Sequence, residues 1–320
     1  MYEIWLVINI LWEIALGRAA APVQAAFAAG LHRNLAAIAR LSRIADPVAA
    51  QGYAAIRGSL SAADRQRIDD VMGRSHGMFL TTGPTGCGKS TTLYAMLLEL
   101  RKQRINILTI EDPVEFYIDE IQQMQVNRAA QFTFASAMRN FLRHDPDVIM
   151  VGEIRDHETA AIAVESALTG HLLLSTLHTN TAATTVTRLL DLGVEAYLLR
   201  ASLLAVMSQR LVRLTCEHCK GVEDVDPHIR ASLGVGANEV FHAGRGCSHC
   251  EGLGVFKRRA VYEFMVVTPR IQSLIVPGAE ADKIHATAIE EGMVPLTRAA
   301  VNLARQGDIS LTEAWRVRAD

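Results

Sequence analysis

Cysteine is scarce in this chain, with five in 320 residues, which excludes a secreted disulfide scaffold. An excess of one charge is also missing. The 32 Lys and Arg stand against 34 Asp and Glu, for a net charge of −2. No global basic field therefore exists to hold nucleic acid or an anionic membrane, and no nucleic acid partner is expected. Long apolar runs are absent as well. Near the start, residues 4–12 form one that Glu13 breaks and 14–16 resume, short of the ~20 residues that span a bilayer. Glu3 stands where a signal peptide carries its basic segment, so a buried or interfacial helix is expected and no transmembrane span. Internal repeats and low-complexity tracts are lacking too. What is present is a hydrophobic fraction of 50%, ample for a packed core and incompatible with disorder as the main state. At roughly 100–200 residues per domain, the length allows two or three compact units. Four of the five cysteines fall into two C-x-x-C pairs, which in a reducing compartment points to metal binding and to the cytosol.

Residues 1–60 are rich in alanine, with Leu31, Leu35, Ile38 and Leu41 at helical spacing and Pro22 and Pro47 as interruptions. Ser61, followed three residues later by Asp64, predicts a capped helix through Met72, and Gly73 and Gly77 lead into a strand at 78–82. From there to about residue 210 the chain alternates short β-rich runs with longer helical ones, the pattern of a parallel sheet with crossover helices. Strands are expected at 78–82, 106–110, 148–151 and 172–176, and helices at about 90–103, 134–143, 157–168 and 180–190, with Gly193 stopping the last before another helix through 209. Cysteine, histidine and glycine then cluster from Thr215 to about Gly254, and amphipathic helix returns from 268 onward.

Gly83-Pro84-Thr85-Gly86-Cys87-Gly88-Lys89-Ser90 matches the phosphate loop G-x-x-x-x-G-K-[ST] in full, between an expected strand and an expected helix. Glycines let backbone N–H groups turn inward around phosphates, and the helix that follows points its positive end at them. Lys89 is suited to reach the terminal phosphates and the Ser90 hydroxyl to ligate Mg²⁺, with ATP as the nucleotide. Cys87 reads as a small filler. Such a loop needs an acid at a neighbouring strand's end to hold Mg²⁺ and a group to orient the attacking water. The run from Asp147 to Glu153 ends a buried strand in a carboxylate, and the run from Asn106 to Asp112, which includes Glu111, repeats that arrangement one crossover earlier. Residue chemistry alone leaves open which carboxylate is the base. A third apolar strand, 172–177, has a histidine at each end, His171 and His178.

Four blocks now resemble one family: the phosphate loop with Thr91-Thr92 after it, the acidic box Thr109 to Glu115, the block from Asp145 to Asp156 and the histidine box Thr169 to Asn180. They look like the secretion ATPases of type II secretion and type IV pilus assembly, the GspE/PilB group of RecA-like traffic ATPases. With the cysteine block and the tail, the likeness covers about residue 60 to the end. It implies a RecA-like α/β core, a hexameric ring, and an inner-membrane secretion or pilus platform as partner. It also implies that Glu153 coordinates Mg²⁺ through water and polarises the attacking water, Glu111 assists at the γ-phosphate, His178 senses that phosphate, and Arg155 organises the site. Arg139 and Arg143, four apart on one helix, read as solvated surface residues, with contact to phosphate or a neighbouring subunit as the alternative.

Cys216, Cys219, Cys247 and Cys250 form C-x₂-C-x₂₇-C-x₂-C, two knuckles of the kind that converge on a tetrahedral Zn²⁺. A four-thiolate site leaves no open position, so its role is structural. His218 and His249 are the alternative ligands. The resemblance agrees, because assembly-type members of the family carry a tetracysteine module. Lys257, Arg258 and Arg259 are too few for nucleic acid binding and read as a solvated turn. The expected layout is therefore a helical segment over 1–60, an ATPase core over 61–210, a zinc module over 211–262 and a helical region over 263–320. Family members place a smaller α/β domain, which supplies arginines to the neighbouring nucleotide, ahead of this core, and residues 1–60 match no part of it. The expected function is a motor ATPase for pseudopilus or pilus assembly, peripheral at the inner membrane. The rivals are a remnant that binds nucleotide with little hydrolysis, a type IV pilus motor, and a DNA-handling motor that the net charge disfavours.

Overall fold

Ser61 starts the first described helix, α1 (Ala62–Met72), by accepting a hydrogen bond from the Asp64 amide at 3.0 Å, the cap its sequence predicts. The computed structural model describes Gly58 and residues 60–318, and the helical reading of residues 1–57 falls outside the described residues. Contacts divide the chain into two units, residues 1–48 with 115–119 and residues 49–114 with 120–320; the elements named here belong to the second.

Four strands are buried at every position: β1 (Gly77–Thr82), β2 (Ile107–Glu111), β4 (Val148–Val151) and β5 (Leu172–Leu177). Covered on both faces, they read in sequence as near-continuous apolar runs instead of alternating ones. With β3 (Gln122–Gln125), β6 (Leu203–Thr215) and β9 (Val255–Val266) they make a seven-stranded sheet in the order β3-β2-β4-β5-β1-β6-β9. Every neighbouring pair is parallel except β6 with β9. The helices α2 (Lys89–Arg101), α3 (Phe134–Phe141), α4 (His157–Leu168) and α5 (Ala182–Asp191) fall where the crossovers were expected. Because β1, β2, β4 and β5 run in one direction, the segments after them emerge at one edge of the sheet, where open α/β folds bind ligands.

The helix expected through 209 stops early. Helix α6 (Ala196–Ser202) gives way to β6, whose residues pair with β1 on one side and β9 on the other. Sheet pairing on both edges outweighs the helix propensity of its Leu, Ala and Met residues. Strand β9 has no sequence expectation behind it, and its exposed start carries Lys257 and Arg258, which lie in this strand and not in the turn that the sequence suggests.

Strands β6 and β9 also run across positions 211 and 262, the expected edges of the cysteine module. Where they pair last, Thr215 opposite Val255, the chain leaves the sheet to form the segment carrying the four cysteines and a small hairpin, β7 (Lys220–Val222) with β8 (His242–Gly244). This segment holds helix α7 (Pro227–Leu233). Its Val225 and Phe241 are buried in a cluster with Val212, Val261, Val301 and Leu311. The last two lie on α10 (Leu296–Gln306) and α11 (Leu311–Arg316), which follow α8 (Pro269–Leu274) and α9 (Ala281–Glu290). Buried Glu263 on β9 joins this region to the sheet's crossovers, accepting the Ala182 amide at 2.6 Å and the Leu296 amide at 3.2 Å. Its charge thus faces the positive ends of both α5 and α10. Among the described residues, no helix is long and apolar enough to cross a membrane.

Candidate functional site

The loop between β1 and α2 turns through three glycines at positive φ: Gly83 at 140°, Gly86 at 77° and Gly88 at 92°. A Cβ on Gly83 would lie 2.5 Å from the Gln209 carbonyl oxygen and 2.7 Å from Cys87 Sγ, so only glycine fits there. Gly88 caps α2, which directs the helix's first amides into the loop. Lys89 is buried, and its Nζ donates to the carbonyls of Gly83 at 2.9 Å and Pro84 at 3.2 Å, which holds the ammonium over the loop. Burial lowers its pKa, while Cys87 and Glu153 favour the charge. Pro84, Thr85, Gly86, Ser90 and Thr91 are exposed, giving a ligand access to the loop and to the Ser90 hydroxyl. Cys87 is buried, and burial pushes its thiol pKa up, as suits a filler.

Across the same edge, Glu153 follows β4 and His178 follows β5. Two side chains of β5 fix the turn that presents Glu153. Ser175 Oγ donates to the Val151 carbonyl and Thr176 Oγ1 to that of Gly152, each at 2.8 Å, and the Ile154 amide bonds Thr176 O at 3.0 Å. Arg155 Nη2 lies 2.6 Å from one oxygen of Glu153, and His178 Nε2 lies 3.5 Å from the other. The bond to Glu153 raises the Arg155 pKa. Three of the four expected catalytic residues therefore meet at one carboxylate. The fourth, Glu111, is buried at the end of β2, where it accepts from Tyr94 Oη, from Thr109 Oγ1 at 2.6 Å and from Gln123 Nε2 at 3.0 Å. These bonds tie it to β3 and to α2, the helix of the phosphate loop.

The histidine loop is fastened to the phosphate side through Thr82, whose Oγ1 accepts the Thr179 amide at 2.9 Å and lies 2.6 Å from Thr179 Oγ1. It is also fastened to β6. Ser208 Oγ at 3.0 Å and Arg210 Nη2 at 3.1 Å both donate to the Asn180 carbonyl. Gln209, 2% exposed, donates from Nε2 to the Cys87 carbonyl and accepts from Thr92 Oγ1, both at 2.8 Å. Sequence reasoning missed Gln209 and Arg210. The available signal was three consecutive polar residues, 208–210, inside an otherwise apolar run. Arg210 is buried, and a Cβ on Gly83 would lie 3.1 Å from its Nη1, so this cation stands beside the phosphate loop. Burial lowers its pKa, with Cys87 and Glu263 opposing. Arg139, by contrast, pairs with Glu158 at 2.6 Å on the surface.

The four cysteines converge as well. Their Sγ atoms all lie within 4.8 Å of one another, with 3.9 Å from Cys216 to Cys247, 3.8 Å from Cys219 to Cys250 and 3.7 Å from Cys247 to Cys250. A regular tetrahedron of sulfurs around zinc, at about 2.3 Å each, has edges of about 3.8 Å. The donor set fits Zn²⁺. Backbone N–H groups of Cys247 and Gly254 donate to Cys250 Sγ at 3.3 and 3.2 Å, and that of Gly246 to Cys219 Sγ at 3.3 Å. Burial works to raise the Cys250 pKa, but the Cys247 and Gly254 N–H groups and the neighbouring thiols bring it below the ordinary thiol value, while burial and the other three thiols raise that of Cys219. A Cβ on Gly244 would lie 1.9 Å from the Gly254 carbonyl oxygen, so the two knuckles close only with glycine there. His218 and His249 lie against each other, centroids 4.0 Å apart and rings inclined at 40°, outside the four-sulfur set.

The model of the Type II/IV secretion system protein family matches residues 42–316. The chain is 47% identical to the type IV pilus assembly ATPase PilB of Thermus thermophilus over 78% of its length and 28% of the relative's. It is 50% identical to type II secretion system protein E of Pseudomonas aeruginosa over 68% and 43%, respectively. To the type II secretion system ATPase E of Vibrio cholerae it is 45% identical, over 81% and 52%. The chain thus spans about half or less of the length of these relatives. Among solved structures it is similar to the pilus retraction motor PilT with bound ADP, with a TM-score of 0.60 and 29% identity over 79% of this chain and 64% of that one. The ATPase DotB of Legionella pneumophila gives a TM-score of 0.58 and 25% identity over 79% and 62%.

Proposed function

Because the chain belongs to the type II/IV secretion system protein family, we propose that it is an ATP-binding and hydrolysing motor subunit powering pseudopilus assembly in type II protein secretion. One observation carries this reading: the phosphate loop, Glu153 and His178 occupy the same sheet edge, tied together by Thr82 and the side chains of β5. Lys89 and the loop amides bind the β- and γ-phosphates. Ser90, and Glu153 through water, would hold Mg²⁺, which would supply neutralisation of the charge that develops on the phosphates. Glu153 orients and polarises the attacking water, since Arg155 and His178 fix the carboxylate from both sides. His178, next to that carboxylate, reports the γ-phosphate to the loop of Thr179 and Asn180. Glu111 assists through its bonds to Tyr94 and Thr109. The four cysteines would hold Zn²⁺, which would supply a structural cross-link.

The working form is a homo-hexamer at the cytoplasmic face of the inner membrane, docked on platform proteins there. A second reading, a type IV pilus assembly motor, is favoured by the 47% identity to the Thermus PilB. The test is Mg²⁺-dependent phosphate release from ATP by the purified chain, followed by complementation of strains lacking either a secretion or a pilus motor. Phosphate release with restored secretion supports the first reading, and restored pili the second. Nucleotide binding without any release would reduce the chain to a nucleotide-binding module.

A further inference from the structure

Opposite Thr82, the last residue of β1, stands Ser208 of β6, so Gln209 and Arg210 run alongside the start of the phosphate loop. Gln209 is 2% exposed, and both ends of its amide are engaged: Nε2 donates to the Cys87 carbonyl at 2.8 Å, and Oε1 accepts from Thr92 Oγ1 at 2.8 Å. Thr92 lies in the first turn of α2, so the amide is held from the helix that the loop feeds. In a trans peptide, C=O and N–H point in opposite directions. Fixing the Cys87 carbonyl toward β6 therefore aims the Gly88 N–H away from β6, into the loop. Gly88, at φ 92°, has the conformational freedom to let that peptide turn over, and a Cβ there would lie 3.1 Å from Gln209 Nε2.

We propose that Gln209 is a positioning residue for nucleotide binding: it pins the Cys87–Gly88 peptide so that the Gly88 N–H faces the β-phosphate. This rests on reading residues 83–90 as a nucleotide loop. An unpinned peptide would populate orientations that turn the carbonyl toward the phosphate, and affinity would fall by the fraction of loops so turned.

Calorimetric titration of the 320-residue chain with ADP tests this, because it returns affinity and stoichiometry separately. In Gln209→Met, which keeps length without the amide, the Kd for ADP should rise about tenfold at unchanged stoichiometry. Thr92→Val, which removes the amide's anchor together with the Thr92 Oγ1 bond to the Gly88 carbonyl at 3.2 Å, should raise it about threefold. A merely structural role would instead reduce the number of binding sites and leave the Kd of the remainder unchanged, and that result overturns the proposal. So does a Gln209→Met Kd within about twofold of wild type. Wild-type protein that binds no ADP overturns the nucleotide reading itself, and the positioning role with it.

Discussion

Glu153 divides its two oxygens between Arg155 and His178, and the proposed function makes this carboxylate the base that faces the attacking water. Glu153→Gln keeps the shape and loses the base. General-base catalysis contributes roughly 10²–10⁴ in rate, so ATP turnover should fall by about that factor while affinity for Mg-ATP stays within about twofold; stopped-assay turnover and direct titration check the two halves. This carboxylate was legible in the sequence because a buried strand pattern ends on it, a few residues in a row. The same holds for Lys89 and for the cysteines, whose chemistry sits in contiguous motifs. Gln209 was not legible, because its partner Cys87 is 122 positions away, and a strand between β1 and β9 leaves no periodic mark on an apolar run. Glu263 escaped for the same reason, since it accepts an amide 81 positions away. Glu111 was recognised as a residue, but sequence could not show that Tyr94, Thr109 and Gln123 bond its carboxylate.

Among the elements, the cysteine segment shows where sequence spacing misleads about independence. Four ligands within 35 positions of one another suggest a module that folds on its own. Yet Val225 and Phe241 are buried against residues of α10 and α11, so the segment and the C-terminal helices share one core. Purified protein should carry one zinc per chain by elemental analysis. Cys216→Ser should release it, because a single lost thiolate opens the tetrahedron. Hydrogen exchange should then quicken over residues 216–254 and also over α10 and α11, while β1, whose Met78 and Leu80 pack in a separate cluster, keeps its protection. Quickening confined to the cysteine segment would mean that Phe241 does not couple the two.

The whole molecule carries a record of its acid stability in Glu313 of α11, 2% exposed and bound by the Arg213 amide, the Arg213 guanidinium and Arg316. Burial works to raise its pKa, but these donors bring it down to about 2 from 4.5. A carboxylate depressed in the folded state contributes stability that is full above the unfolded value and is lost as pH falls through the folded one. Between about pH 4.5 and pH 2 the protein should therefore lose stability on the order of 2–3 kcal/mol through this residue alone. Urea titrations across that range should show a flatter acid limb in Glu313→Gln. The proposed motor function requires the loop at residues 83–90 to be a nucleotide site. The most direct test is equilibrium titration of a fluorescent ATP analogue into wild-type protein and Lys89→Ala. Loss of the buried ammonium to which the proposed function gives two phosphates as partners should weaken binding about a hundredfold, or ~3 kcal/mol. Equal affinity in the two proteins would contradict the assignment.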